Sequence, residues 1–170
     1  MNSDAPVGTW TLESWEVVDS EGVVDRPFGE KPIGYIMYSP EGYMAVAFMP
    51  PGRPSFGAAD ILGGTPDEKC AAIGTYISYC GRYEIAGNRV RHHIELSLFP
   101  NWTGVTQERI VSLNGDTLRI STPPLLKANR RAVRIRAANS RPPRRTAPSG
   151  WDRPPGDRPG RFESPLPLGT

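Results

Sequence analysis

The chain has 170 residues, a net charge of +2, 19 Pro, 18 Gly and two Cys. At this length one domain is expected. No apolar run approaches the ~18 residues of a membrane helix. The opening MNSDAPVGTW has neither a basic n-region nor an apolar h-region, so no signal peptide is read there. A cytoplasmic chain is expected on these grounds, with Cys70 and Cys80 as reduced thiols. Charge is uneven: residues 1–126 hold 9 Lys and Arg against 15 Asp and Glu, whereas residues 127–170 hold 11 against 3. That imbalance predicts an acidic domain followed by a basic tail.

The first predicted strand is TWTLESWEVVD, where Trp10 and Leu12 share one face and Thr11, Glu13, Trp15 and Val17 the other. Turn residues follow in Asp19-Ser20-Glu21-Gly22 and Arg26-Pro27-Phe28-Gly29. Ile33 to Ser39 and Tyr43 to Met49 form a predicted hairpin around Ser39-Pro40-Glu41-Gly42. Its aromatic, Met and β-branched residues suit strands. A long irregular segment then runs from Pro50 to Gly64. Thr65-Pro66-Asp67-Glu68 starts a helix, with Thr as N-cap, Pro in the first turn and Glu completing a capping box. The helix is short, and Cys70, Ile73 and Ile77 give it one apolar stripe.

Ile77 to Ala86 is the next strand, with Tyr79, Gly81, Tyr83 and Ile85 on one face. A Gly inside a strand marks a bend or a close backbone approach. Gly87-Asn88 turns the chain into Val90. From there to Leu113 two strands alternate around the loop Pro100-Asn101-Trp102-Thr103-Gly104. With the loop centred on Trp102, Ser97 falls opposite Gln107, Glu95 opposite Arg109 and His93 opposite Val111. One face of this hairpin then carries His, Glu, Ser, Gln and Arg, and the other Ile94, Leu96, Leu98 and Ile110. Alternation favours burial of the apolar face; Val111 and Leu113, on the Arg109 face, favour the opposite, and the choice stays open. Asn114-Gly115 is a turn into Thr117 to Ser121, and Ala132 to Arg136 alternates as a last closing strand. Residues 138–170 are rich in Pro and Arg with little to bury, so a disordered tail is expected.

About seven to eight strands and one short helix suit an all-β, small antiparallel barrel, which closes its own edges and leaves room for about one small ligand. The expected organisation is a barrel over residues 7–137 and a tail over 138–170.

Several stretches together carry a family likeness. They are Gly8-Thr9-Trp10 with Ser14-Trp15-Glu16, Pro27-Phe28-Gly29, Gly34-Tyr35-Ile36, Tyr43-Met44 and Leu62-Gly63-Gly64-Thr65-Pro66. They continue in Tyr79-Cys80-Gly81-Arg82-Tyr83, His92-His93-Ile94-Glu95, Pro100-Asn101-Trp102-Thr103-Gly104 with Gln107 and Arg109, and Leu113-Asn114-Gly115-Asp116. The chain resembles the bacterial and fungal lipocalin-like domain proteins, small calycin-type barrels, over nearly all of residues 7–126. The resemblance implies a barrel with a cavity and little about activity; some lipocalin-like barrels in natural-product pathways act as cyclases or isomerases. After Lys127 the chain departs from the family pattern, which usually ends on one more ordered strand.

Candidate ligand-binding residues are Tyr35, Tyr79, Tyr83, His93, Glu95, Trp102, Gln107 and Arg109. Arg109 would present its fork to a ligand carboxylate, enolate or phenol, held by Glu95. The tyrosines would orient a flat apolar ligand. Each has a plainer reading: Glu95 and Arg109 as a weak surface pair, the tyrosines as packing, and His93 as an ordinary sheet histidine. His92 and His93 point to opposite faces, so they cannot serve one site. A metal site would need a third ligand at suitable spacing and is not expected; no cofactor motif, catalytic triad or nucleophile elbow is present. The expected function is binding of a small, largely apolar molecule with one acidic or hydroxyl group. The alternative is a cofactor-free cyclase, isomerase or hydrolase of secondary metabolism using His93 or Tyr83 as acid or base. A homodimer is compatible with the sequence. Membrane and nucleic-acid partners are not expected, the tail having only Trp151 and Phe162 as aromatics.

Overall fold

A computed structural model describes residues 6–60, 62–123 and 132–140. The predicted disorder of the Pro/Arg-rich segment concerns residues that, beyond Ser140, lie outside this description. The described strands are β1 (Gly8–Val18), β2 (Val24–Asp25), β3 (Ile33–Tyr38), β4 (Tyr43–Met49), β5 (Ile77–Ala86), β6 (Arg89–Ser97), β7 (Thr106–Asn114), β8 (Thr117–Ser121) and β9 (Ala132–Asn139). They form one antiparallel sheet in the order β2-β1-β3-β4-β5-β6-β7-β8-β9. β9 also pairs with β1, with Leu12 opposite Ala137 and Trp15 opposite Ile135, so eight strands close a barrel and β2 hangs on its rim. The closing strand therefore exists, and it runs to Asn139, two residues past the predicted boundary.

Two bulges set which side chains enter the barrel. In β1 the register against β9 shifts between Leu12 and Ser14. One extra residue reverses the alternation. Trp15 and Val17 therefore face inward together with Trp10 and Leu12, whereas strict alternation put them on opposite faces. The second bulge lies between β5 and β6, where Cys80 opposes Leu96 but Gly81 already opposes Ile94. Ile94 stays buried, while Leu96 is turned out and 67% exposed. A Cβ at Gly81 would lie 2.0 Å from the His93 carbonyl oxygen and 2.8 Å from the Glu95 amide nitrogen. This is the close backbone approach that a strand glycine marks.

The core runs the length of the barrel: Trp10, Leu12, Ile36, Tyr38, Met44, Val46, Phe48, Ile94, Leu118, Ile120 and Ala137 are all buried. Trp10 closes one end. It is 2% exposed, and its indole N–H donates to the Pro6 carbonyl at 2.8 Å, which satisfies the one polar group its burial would strand. The other end carries helix α1 (Pro66–Gly74), with the predicted capping box between Thr65 and Glu68. None of its residues is buried, so the Cys70-Ile73 stripe does not dock on a core. Arg53 ties it down instead, donating to the Ala72 carbonyl at 2.9 Å.

Three stability outcomes follow. Trp10→Ala removes a fully packed indole and should cost about 3–5 kcal/mol in urea unfolding; a loss under about 1 kcal/mol would contradict its burial. Gly81→Ala should destabilise by a comparable amount, because the atoms it would meet belong to the His93 and Glu95 backbone and cannot swing aside. A chain ending at Ala137 should melt several degrees below one ending at Ser140. The extra residues supply the Asn139 amide bond to Asp116 at 2.8 Å and the Ser140 amide bond to Thr9 at 2.8 Å, each worth about 1 kcal/mol.

Candidate functional site: a tyrosine–histidine–arginine cluster inside the barrel

The register of β6 against β7 builds the site. Val90 lies opposite Arg109, His92 opposite Gln107 and His93 opposite Thr106. The predicted register, with Glu95 opposite Arg109, is thus off by five residues. The loop is longer than a hairpin centred on Trp102. Its ends are pinned by Ile94, whose amide donates to the Val105 carbonyl at 3.0 Å and whose carbonyl accepts from Gly104 at 2.8 Å. A slip by an odd number moves one strand's side chains to the other face relative to its partner. Gln107 and Arg109 consequently share the inner face with His92 and Ile94, not with His93 and Glu95.

His92, which is not among the candidate residues named from the sequence, is the centre of the cluster. Apart from the tyrosines, it is the only buried polar residue among the described residues, at 0% exposure. Its Nε2 lies 2.9 Å from the Tyr38 hydroxyl and its Nδ1 3.5 Å from the Tyr79 hydroxyl. A neutral imidazole has one donor and one acceptor nitrogen, so it donates to one tyrosine and accepts from the other. Burial first, then the positive charges of Arg109 and His93, push its pKa down to about 3. Burial likewise raises the Tyr38 and Tyr79 hydroxyls, with Arg109 pulling the other way. The signal for His92 was present in the sequence: it sits between Val90 and Ile94 on the apolar face of its strand.

Arg109 is half-buried. It bonds the Gln107 side-chain oxygen and donates to the Glu108 carbonyl at 2.9 Å. Among the described residues no carboxylate lies within ion-pair distance of it. Glu95, its predicted partner, stands on the outer face at 3.7 Å from Arg82. His93 also faces outward, with Nδ1 2.9 Å from the Thr106 hydroxyl and Nε2 3.6 Å from Glu84. Tyr35 is on the outer face and 48% exposed, because β3 buries Gly34, Ile36 and Tyr38 instead. Tyr79 and Tyr83 do point inward. Tyr83 is half-buried, donates to the Ser39 carbonyl at 2.8 Å and meets Tyr38 edge-on at 4.9 Å. His93, one acid–base candidate, and Arg109 thus lie on opposite faces of the sheet and do not converge on one point.

A pocket of about 310 Å³ opens at the α1 end of the barrel, lined by Phe28, Ile73, Tyr76, Ile77, Leu98, Phe99 and Trp102 among others. Trp102, on a single 3₁₀ turn (Pro100–Trp102), packs edge-on against Tyr79 at 5.6 Å and against Phe99 at 5.5 Å. The aromatic wall of the pocket therefore adjoins the polar cluster through the Trp102–Tyr79 contact. A larger groove of about 520 Å³ lies over the outer face of β7, β8, β9 and β1, beside Arg119, Arg134 and Arg136, and shares no residue with the cluster.

An eight-stranded antiparallel barrel with a buried polar cluster and an aromatic mouth is a calycin-type container for a small molecule. The model of the lipocalin-like domain matches residues 7–139, and the chain belongs to that family. A 4'-hydroxy-3'-methoxypropiophenone carrier protein of Aspergillus oryzae is 38% identical over 87 residues, covering 46% of this chain and 78% of that protein. A solved structure of an uncharacterized protein from Bacteroides eggerthii aligns with a TM-score of 0.40 and 13% identity, over 77% of this chain and 98% of that one; a likeness at that level carries no argument. Family and relative together support small-molecule binding as the general function. No helix among the described residues is long and apolar enough to cross a membrane.

The depressed pKa of His92 predicts a pH dependence. In the unfolded chain its value returns to the ordinary 6.5. Between that value and about 3 the unfolded state binds more protons, so stability falls as pH falls. The contribution of neutral His92 is complete above the unfolded value and drains away below it, by several kcal/mol in all. Urea unfolding of the natural chain should weaken more steeply between about pH 7 and pH 4 than that of His92→Gln. Equal slopes for the two would remove His92 as the cause.

Proposed function

We propose that the barrel binds a small, largely apolar molecule bearing one acidic or hydroxyl group, its apolar body against Trp102, Phe28 and Ile77 and its polar group toward Arg109. The observation that carries this reading is Arg109 itself: a half-buried guanidinium inside a barrel, held by Gln107 and without a carboxylate partner among the described residues. Burying a cation is costly unless it is paired. Its remaining N–H donors suit a phenolate, enolate or carboxylate. The Tyr79 and Tyr38 hydroxyls are kept protonated by burial, and the one that accepts from His92 keeps its own O–H as a neutral donor beside Arg109. The compound in the relative's name, an aromatic ketone with one phenolic hydroxyl, has the size and polarity this site fits. We extend the carrier role to this chain on that basis.

The test is a titration of the purified chain with 4'-hydroxy-3'-methoxypropiophenone, followed by quenching of tryptophan fluorescence. Saturable binding is expected, together with a loss of at least about tenfold for the ether in which the phenol is methylated, equivalent to about 1.4 kcal/mol. Arg109→Met should lose binding by a similar factor. Its folding stability should change by less than about 1–2 kcal/mol, because no carboxylate is left unpaired. Absence of saturable binding, or Arg109→Met binding as tightly as the natural chain, would overturn the proposal.

A further inference from the structure

The outer surface of the barrel divides into two unlike halves. Over β6 to β9 and β1 it is charged. Arg136 pairs with Glu13 at 2.7 Å, Arg89 and Arg91 flank Glu108, and Arg119 and Arg134 stand beside them. Over β3, β4 and the first half of β5 it is apolar. Between Ile33 and Met49 the only charged residue is Glu41, which lies in the turn, and Ile77 to Gly81 has none.

The ladders show that this half is one continuous patch. Met37 lies opposite Ala45, Ala45 opposite Cys80 and Cys80 opposite Leu96. In the next outward row Tyr35 lies opposite Ala47 and Ala47 opposite Ser78. Ile33, Tyr35 and Met37 are 44%, 48% and 42% exposed. Leu96 joins the patch because the β5–β6 bulge turns it outward. Charge returns only at the border, where Arg82 lies over the Tyr43 ring at 5.1 Å and 3.7 Å from Glu95.

We propose that this face is the two-fold interface of a homodimer. Its relief is self-complementary. β3 presents a ridge of long side chains, Ile33, Tyr35 and Met37, and the adjacent β4 presents a trough, Ala45 and Ala47. A two-fold axis running parallel to the strands, in the plane between the two facing sheets and midway between β3 and β4, sets the ridge of each copy into the trough of the other, as an isologous contact requires. A specific contact needs at least about 600 Å² per copy. Two copies then bury about 1,200 Å², the lower end of specific interfaces. A contact at that lower end is expected to be reversible, so the equilibrium is sought around a dissociation constant on the order of micromolar. The interface is on the opposite side of the sheet from Arg109 and does not depend on ligand.

The test uses the full chain. Sedimentation equilibrium across about 1–200 µM, a span bracketing that constant, should show a monomer–dimer equilibrium. Ala45→Arg fills the trough with charge and should weaken dimerisation at least tenfold, with circular dichroism checking that it folds. Should Ala45→Arg not fold, cross-linking of otherwise natural chains decides. Cys80 faces outward within the patch, and stacked sheets stand about 10 Å apart. With the axis between β3 and β4, the two Cys80 side chains are also offset by about 14 Å along the sheets, three strand spacings, so a bismaleimide of about 15 Å reach should join two copies of Cys70→Ser through Cys80 and fail to join Cys80→Ser through the exposed Cys70. A chain that stays monomeric and uncross-linked, a folded Ala45→Arg that dimerises as well as the natural chain, or cross-linking through Cys70 instead of Cys80 would each overturn the proposal.

Discussion

The site depends on the backbone contact at the β5–β6 bulge. Gly81 brings β5 so close to His93 and Glu95 that a single Cβ would collide with both. There β6 gains a residue relative to its partner and changes which face it offers to the interior. On one side of the bulge His92 and Ile94 point inward; on the other Leu96 points outward. The bulge in β1 acts likewise on Trp15, which turns inward and stacks near Phe28, with ring centroids 4.8 Å apart. Bulges of this kind re-aim side chains beside functional sites. Here they fill one end of the barrel with aromatic surface and leave Leu96 for the outer patch.

Electrostatics in the interior is one-sided. His92, Tyr38 and Tyr79 are held neutral by burial, and the charge that faces them is Arg109. The guanidinium helps keep the imidazole unprotonated, and the imidazole orders both hydroxyls through its two nitrogens. The tyrosines and histidine spend most of their hydrogen-bonding capacity on one another. Arg109 retains donors that the described protein groups do not use. Such an arrangement is suited to orienting the polar group of the proposed ligand and leaves His92, fully buried between two phenols, poorly placed to exchange protons with solvent. Binding therefore accounts for the geometry better than acid–base chemistry does.

Inner and outer faces of the same strands divide the work. β3, β4 and the first half of β5 put Ile36, Tyr38, Met44, Val46, Phe48 and Tyr79 into the core, while their outward positions are also uncharged. A strand with apolar residues on both faces is typical of one covered on both sides. In β6 to β9 the outward positions hold Arg and Glu, and one covered face suffices. Mean composition hides this contrast, which appears only when residues are assigned to faces.

The sequence by itself determined the strand-rich class, the places of most strands, the helix with its capping box, the glycine of close approach at position 81, the shared face of Trp10 and Leu12 and the lipocalin-like family. Each of these rests on local spacing, on turn chemistry or on a set of short motifs, and all of those are written along the chain. It also marked Tyr79, Tyr83, Trp102, Gln107 and Arg109, which the structure brings to the inner side of the barrel. Only the tertiary structure decided how they combine. His92 replaces His93 in the interior, Glu95 leaves Arg109 for Arg82, and Tyr35 belongs to the outer patch. The reason is physical. Alternation fixes relative facing within one regular strand, but a bulge reverses it, and the residue opposite another across a ladder depends on loop length and packing over the whole barrel. A five-residue shift in one hairpin left every strand where the sequence put it and changed which charges meet.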